Sequence, residues 1–454
     1  MPGGDHATAI GLFLLAPRVR LAVAHSHQHM SAAPIGTRGP QVGTPAPFRL
    51  VGGYLVASLV CWLIAAAALL QAAPDIAHAA FASPAMLLAV HLLALGFLPL
   101  AVTGAVLHVL PTVLRASSSS RLGWVGLIGL CGGPFLAVGI SRHQPALTWA
   151  AATLVGLGAC LILLHVGLLV ARAPHNRLLL ASRIGIASAS GNALLAFLLG
   201  PVLFVREWQP WLGIPHERLI AIHLHLAAIG WLTLLIVAVG RTLVPMLALT
   251  PSEPARRLPL AELSLIAGLW LAIAGFIVGD RTLLLAGYAT TVAALAHFAT
   301  VLLRAARRSR REAIEGPIAH VLTGLVCLCE AAVLAGLLLS RSDNGGVLSA
   351  YALLLLLGWA AGITLGHVGK LLSLSAWAWW PPGPRPKQAA LYARGLWVIE
   401  AAAFALGVQL LAAAALVGNP ALARAGAALL VISALLALGA AAHTLRHGQP
   451  ALRR

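Results

Sequence analysis

Two histidines stand two residues apart in the apolar run "AIHLHLAAIGWL", His223 and His225. A third, His91, opens the similar run "HLLALGF". Neutral imidazole is a common ligand of haem iron and of copper. An ionisable ring inside a long apolar run is functional by default, because a bilayer offers it no water. Positions i and i+2 of a helix point about 200° apart. His223 and His225 therefore cannot both ligate one centre from a regular helix, but they can face two centres, one on each side. His91 and His225 are the first pair of candidate ligands, with His223 as the additional one.

Other polar groups in apolar runs are Glu330, Glu400, His108, His367 and Lys370. Buried carboxylates should be protonated or paired, and Glu330 and Glu400 are candidates for a proton path. His108 and Lys370 read as long side chains snorkelling to headgroups, or as the start of such a path together with His367. The segment "HSHQH" (His25, His27, His29) could hold a stray metal. Cys61, Cys131, Cys160, Cys327 and Cys329 all lie in apolar runs and read as small core side chains, not a disulfide framework.

These residues need elements to hold them. The chain of 454 residues is 60% hydrophobic and 9% charged, too little charge for the surface of a soluble domain of that length. Its apolar runs are long enough to cross a bilayer. Twelve are expected, near 50–72, 84–114, 122–140, 146–171, 183–205, 219–249, 259–279, 282–304, 317–340, 347–377, 391–416 and 420–444. No period-2 alternation supports a β-barrel. With the N-terminus inside, the inner loops and tails hold 22 Lys and Arg against 6 outside. That bias predicts both termini to be cytoplasmic, at the inner membrane of a cell. The formal charge of +18 is spread over loops, which points to lipid headgroups as partners and not to nucleic acid. Residues 1–49 read as a disordered cytoplasmic tail, or in part as sequence upstream of a start at Met30. Residues 50–445 read as the membrane domain and 446–454 as a basic tail.

A repeat organises the spans. Residues 91–112, 225–246 and 353–374 align, sharing Gly96-Phe97, Gly230-Trp231 and Gly358-Trp359. Pro111 and Pro245 follow the glycine by fifteen residues, with Ser373 in that place in the third copy. His91 matches His225; the third copy has Leu353. The spacings of 134 and 128 residues each contain four spans, so the copies keep one orientation. The expected fold is all-α, twelve transmembrane helices as three four-helix units with pseudo-threefold symmetry.

On "HLLALGF…HVLP", "HLHLAAIGW…LVPM" and "LGWAAGITLGHVGKLL", the chain resembles divergent members of the haem–copper oxidase subunit I superfamily, those like subunit I of the cbb3 type and the NnrS-type haem membrane proteins linked to nitric oxide. The likeness covers spans 1–12. It implies haem b, with His91 as an axial ligand and His225 or His223 as its partner, and other respiratory-chain membrane subunits as partners. The departures are specific. In the oxidases the HxH pair lies on span 10, whereas here it is on span 6. Span 7, "LAELSLIAGLWLAIAGFIVG", has no histidine, so a binuclear centre with copper is not expected. Electron transfer or a nitric-oxide- or oxygen-linked response is the implied function, with no reaction assigned. The alternatives are a transporter and a relative that kept the fold without a cofactor. Helices broken by Gly/Pro pairs at matched depths would favour a transporter, and none is evident. No CxxCH haem attachment site is present.

Overall fold

The computed structural model describes residues 45–114, 116–117, 119–173, 177–205, 212–250, 259–309, 315–340 and 344–453. Val42–Arg454 form one compact unit. The histidines of "HSHQH" and most of the expected N-terminal tail lie outside the described residues.

Among the described residues there is helix and no strand. Twelve helices are long and apolar enough to cross a membrane: α1 Phe48–Gln71, α2 Pro84–Leu114, α3 Ser120–Ser141, α4 Pro145–Arg172, α5 Leu180–Phe204, α6 His216–Leu247, α7 Leu260–Val278, α8 Arg281–Arg307, α9 Gly316–Leu338, α10 Gly345–Ala378, α11 Arg394–Val417 and α12 Pro420–His447. The chain is a multi-pass membrane protein. Its outward side chains, among them Ile128, Leu157, Leu198, Val333 and Ile399, are as apolar as its core, the composition a bilayer requires. The expected basic tail is not free: Gln449–Leu452 form a short helix with Ala451 buried, and Arg49 donates to the Leu452 carbonyl.

Lipid tails are no less apolar than leucine, so these helices gain little by hiding leucines from lipid and associate instead through close packing of small residues. Three glycine contacts do this in register. A Cβ at Gly129 of α3 would meet Gly158 Cα of α4 at 2.5 Å. One at Gly268 of α7 would meet the Gly287 carbonyl of α8 at 2.8 Å, and one at Gly407 of α11 would meet the Gly426 carbonyl of α12 at 2.9 Å. The hairpins α7–α8 and α11–α12 also share their turn. Gly279 (φ 80°) and Gly418 (φ 69°) adopt the left-handed conformation that ends a helix. Asp280 and Asn419 then cap the next helix, each carboxylate or amide oxygen accepting from two backbone N–H groups.

The three aligned segments share a distortion. α2, α6 and α10 each contain a π-helical stretch, at Leu92–Phe97, Leu226–Thr233 and Leu353–Ala361. It begins directly after His91 in α2, after His225 in α6 and after Ala352 in α10. The aligned glycine of each stretch lies against the preceding helix: Gly96 on Cys61 of α1, Gly230 on Asn192 of α5, Gly358 on Cys327 of α9. The Asn192 amide donates to the Gly230 carbonyl at 3.0 Å, giving a buried carbonyl of that stretch a partner. Trp359 Nε1 of α10 donates to Thr233 Oγ1 of α6 at 3.1 Å, joining two of the stretches. α3 is broken at Cys131–Gly132, before Gly133-Pro134. Gly133 sits there against the Leu95 carbonyl of α2, while α7 and α11 run unbroken. α12 packs along α1.

Candidate functional site

His91 stands about 10 Å along α2 from its start at Pro84, by the helical rise. Its Nδ1 lies 2.7 Å from the Leu87 carbonyl one turn back. A carbonyl only accepts, so Nδ1 carries the proton and the neutral ring presents the Nε2 lone pair. This is how metal-ligating histidines are oriented: the far nitrogen is tied to an acceptor and the near one is left for the metal. Nε2 makes no hydrogen bond among the described residues. The first turn of α2 is itself fixed, by Ser83 Oγ accepting from Met86 N–H and donating to Asp75.

The two rings of α6 diverge, as their 200° separation requires, with Leu224 between them facing outward. His223 turns toward α2 and α5. It lies against the Ala196 backbone and is close enough to His91 for a charge on either ring to be felt by the other. Its Nδ1 is buried and has no hydrogen-bond partner among the described residues. His225 turns toward α7 and α8. Its Nδ1 donates to the Ala221 carbonyl at 2.7 Å, the same local bond as in His91. Its Nε2 then accepts from Tyr288 Oη at 3.0 Å, and Phe276 packs on the ring with centroids 5.0 Å apart. Both nitrogens of His225 are thus engaged. Of the three histidines picked out by type and spacing, the fold places His91 and His223 within electrostatic reach of each other and ties His225 to Tyr288.

The remaining residues form separate groups. Glu400 is fully buried between His320, 2.8 Å away through Nε2, and Ser433, whose hydroxyl donates at 2.8 Å. Glu330 accepts from the Gln409 amide at 2.8 Å. Lys370 does not snorkel. It is 2% exposed, pairs with Glu315 at 2.9 Å and lies over the Tyr392 ring at 4.5 Å. A carboxylate and an aromatic face nearby make burial of the ammonium cheaper than reaching headgroups. His108 is half-buried, and its Nδ1 has no partner among the described residues. His367 Nδ1 lies 2.7 Å from the Ile363 carbonyl.

Sequence reasoning missed Tyr288, His320, Ser433 and the pair Arg241–Glu262, in which one guanidinium nitrogen meets both carboxylate oxygens at 3.0 Å. Glu262 is fully buried, a sign of a partner that its place in an apolar run already carried. Among the described residues no three His, Cys, Asp or Glu side chains converge on one point as a metal cage. What the arrangement offers is two imidazoles from different helices within electrostatic reach of each other, a donor type that suits haem iron. No protein-family model matches the sequence, and no curated protein matches it.

Proposed function

We propose that this chain is a haem b membrane protein of the electron-transfer kind, with His91 of α2 and His223 of α6 as the axial pair. One observation carries the reading. Two half-buried imidazoles from different helices lie within electrostatic reach; His91 spends Nδ1 on the Leu87 carbonyl, and His223 Nδ1 has no partner among the described residues. His91, with Nδ1 tied to the Leu87 carbonyl, and His223 would be the residues that hold the haem. The haem would be held without covalent attachment and would supply one-electron chemistry at the iron. If both histidines held the iron, electron transfer would be favoured over gas binding.

The likeness to oxidase subunit I belongs to the same proposal. It is supported by the three matched π stretches, the three glycine contacts and the packing of α12 along α1, all features of three four-helix units about an axis normal to the membrane. Gly129, Gly268 and Gly407 are spaced by 139 residues each time. The inward bias of basic residues supports cytoplasmic termini and an inner membrane, where respiratory subunits would be the partners.

A reduced-minus-oxidised absorbance spectrum of the purified protein tests the assignment. The unaltered protein should show a Soret band that shifts on reduction. H91A and H223A should each lose or strongly perturb it, and H225A should keep it. An unaltered protein with no Soret band, or a band indifferent to both His91 and His223, would overturn the reading.

A further inference from the structure

The last turns of α12 carry another pair of imidazoles, His443 and His447. Residues four apart on a helix lie one above the other on the same face. Here the two rings stack, with centroids 4.1 Å apart and planes 32° from parallel. Every nitrogen of one ring is therefore within a few ångströms of every nitrogen of the other. His447 is exposed and His443 partly exposed, at the end of the helix, so an ion in water can reach both.

Each ring has one nitrogen tied down and one left over. His443 Nε2 lies 3.2 Å from the Ala390 carbonyl, in the connection between α10 and α11. His447 Nδ1 lies 2.9 Å from the His443 carbonyl one turn back. A carbonyl only accepts, so those nitrogens carry the protons of the neutral rings, and His443 Nδ1 and His447 Nε2 present lone pairs. Neither makes a hydrogen bond among the described residues. A carbonyl on the far nitrogen is what fixes the tautomer of a metal-ligating histidine. The turn itself is held by Thr444, whose hydroxyl donates to the Leu391 carbonyl at 2.8 Å.

We propose that His443 Nδ1 and His447 Nε2 together hold one divalent copper, nickel or zinc ion, with water in its remaining positions. The donor type decides the class of ion. Imidazole suits these metals, whereas calcium and magnesium require oxygen ligands. No Asp or Glu follows Glu400 in the sequence, and among the described residues no third His, Cys, Asp or Glu joins the pair. A zinc–imidazole bond is about 2.0–2.1 Å long, and small rotations of two solvent-facing side chains bring both lone pairs onto one ion. Arg446, one residue before His447, adds a repulsion that is exposed and therefore screened by salt. The site shares no residue with the proposed haem ligands, so either reading can fail while the other stands.

His25, His27 and His29 could bind the same ions, so the parent for the test is the full-length chain carrying H25A, H27A and H29A, in lipid nanodiscs. Zinc(II) is titrated by calorimetry, and copper(II) is followed by electron paramagnetic resonance. H443A and H447A should each weaken zinc binding at one site of the parent by at least about tenfold. The copper spectrum of the parent should show coupling to two imidazole nitrogens, and H447A should lose it. L445H added to H447A keeps two histidines but sets them two residues apart, about 200° around the helix, and should restore neither. Zinc isotherms of H443A and H447A that match the parent's, a copper spectrum without two nitrogens, or restoration by L445H would each overturn the proposal. If H443A does not fold, H447A decides, because His447 is exposed and its truncation leaves the packing intact.

Discussion

His225 shows how little a side chain's type says about its use. It matches His91 in the repeat and makes the same bond to the carbonyl four residues back, yet Tyr288 occupies the nitrogen that would ligate. A hydrogen bond between helices in a bilayer is worth about 1 kcal/mol. Tyr288→Phe should therefore lower unfolding stability by about that amount, measured by denaturant titration in detergent, and leave the His91–His223 site unchanged. The His320–Glu400–Ser433 group has more at stake. Removing one member of a buried hydrogen-bonded group costs about 1–3 kcal/mol for each partner left unsatisfied. Glu400→Ala should show that loss in the same measurement, and Glu400→Gln, which still bonds His320 and Ser433, a much smaller one. The divergence of His223 from His225 was legible in the sequence, because it follows from helical pitch alone. That His223 comes within electrostatic reach of His91 was not, since it depends on how α2, α5 and α6 pack. Lys370 was misread for the same reason: Glu315 and Tyr392 lie 55 residues before it and 22 after it in the chain, and only the fold makes them its neighbours.

At the scale of helices, apolar length and basic loops made the spans readable, and their ends fall within a few residues of expectation. The alignment of α2, α6 and α10 rested on Gly-aromatic pairs, and in the structure each pair sits inside a π stretch. Such stretches recur at functional sites, and here two of the three start at a histidine. Hydrophobicity cannot announce a π stretch, since apart from the Gly-aromatic pair the residues that form it are mostly ordinary leucines and alanines. The glycine contacts of α3 with α4, α7 with α8 and α11 with α12 were in principle visible, because the spacing of Gly129, Gly268 and Gly407 is constant. The 45 glycines of the chain hid them. A side chain at these points has backbone in its way, and overpacking costs about 1–3 kcal/mol. Gly268→Leu and Gly407→Leu should each destabilise the protein by at least that much, read from the detergent unfolding midpoint. Gly336→Leu, at a position with open space around it, should not.

For the whole molecule, composition excluded a soluble protein and the count of spans was readable. The order in which the helices surround one another was not. Small residues let any pair of helices approach, and only the completed packing shows which do. The structure places α12 along α1 and ties Arg49, at the start of α1, to the backbone of Leu452. An even number of crossings also returns both ends of the membrane domain to one face. The covalent break between α12 and α1 thus falls at a junction the helices already make without it. A short linker from Leu452 to Ala46, with new ends opened between α4 and α5, would give a circular permutant with every helix neighbour retained. It should insert and fold, with an unfolding midpoint within a few degrees of the parent's. A permutant that failed to fold would mean that the order of synthesis, and not the final set of neighbours, decides how this bundle assembles.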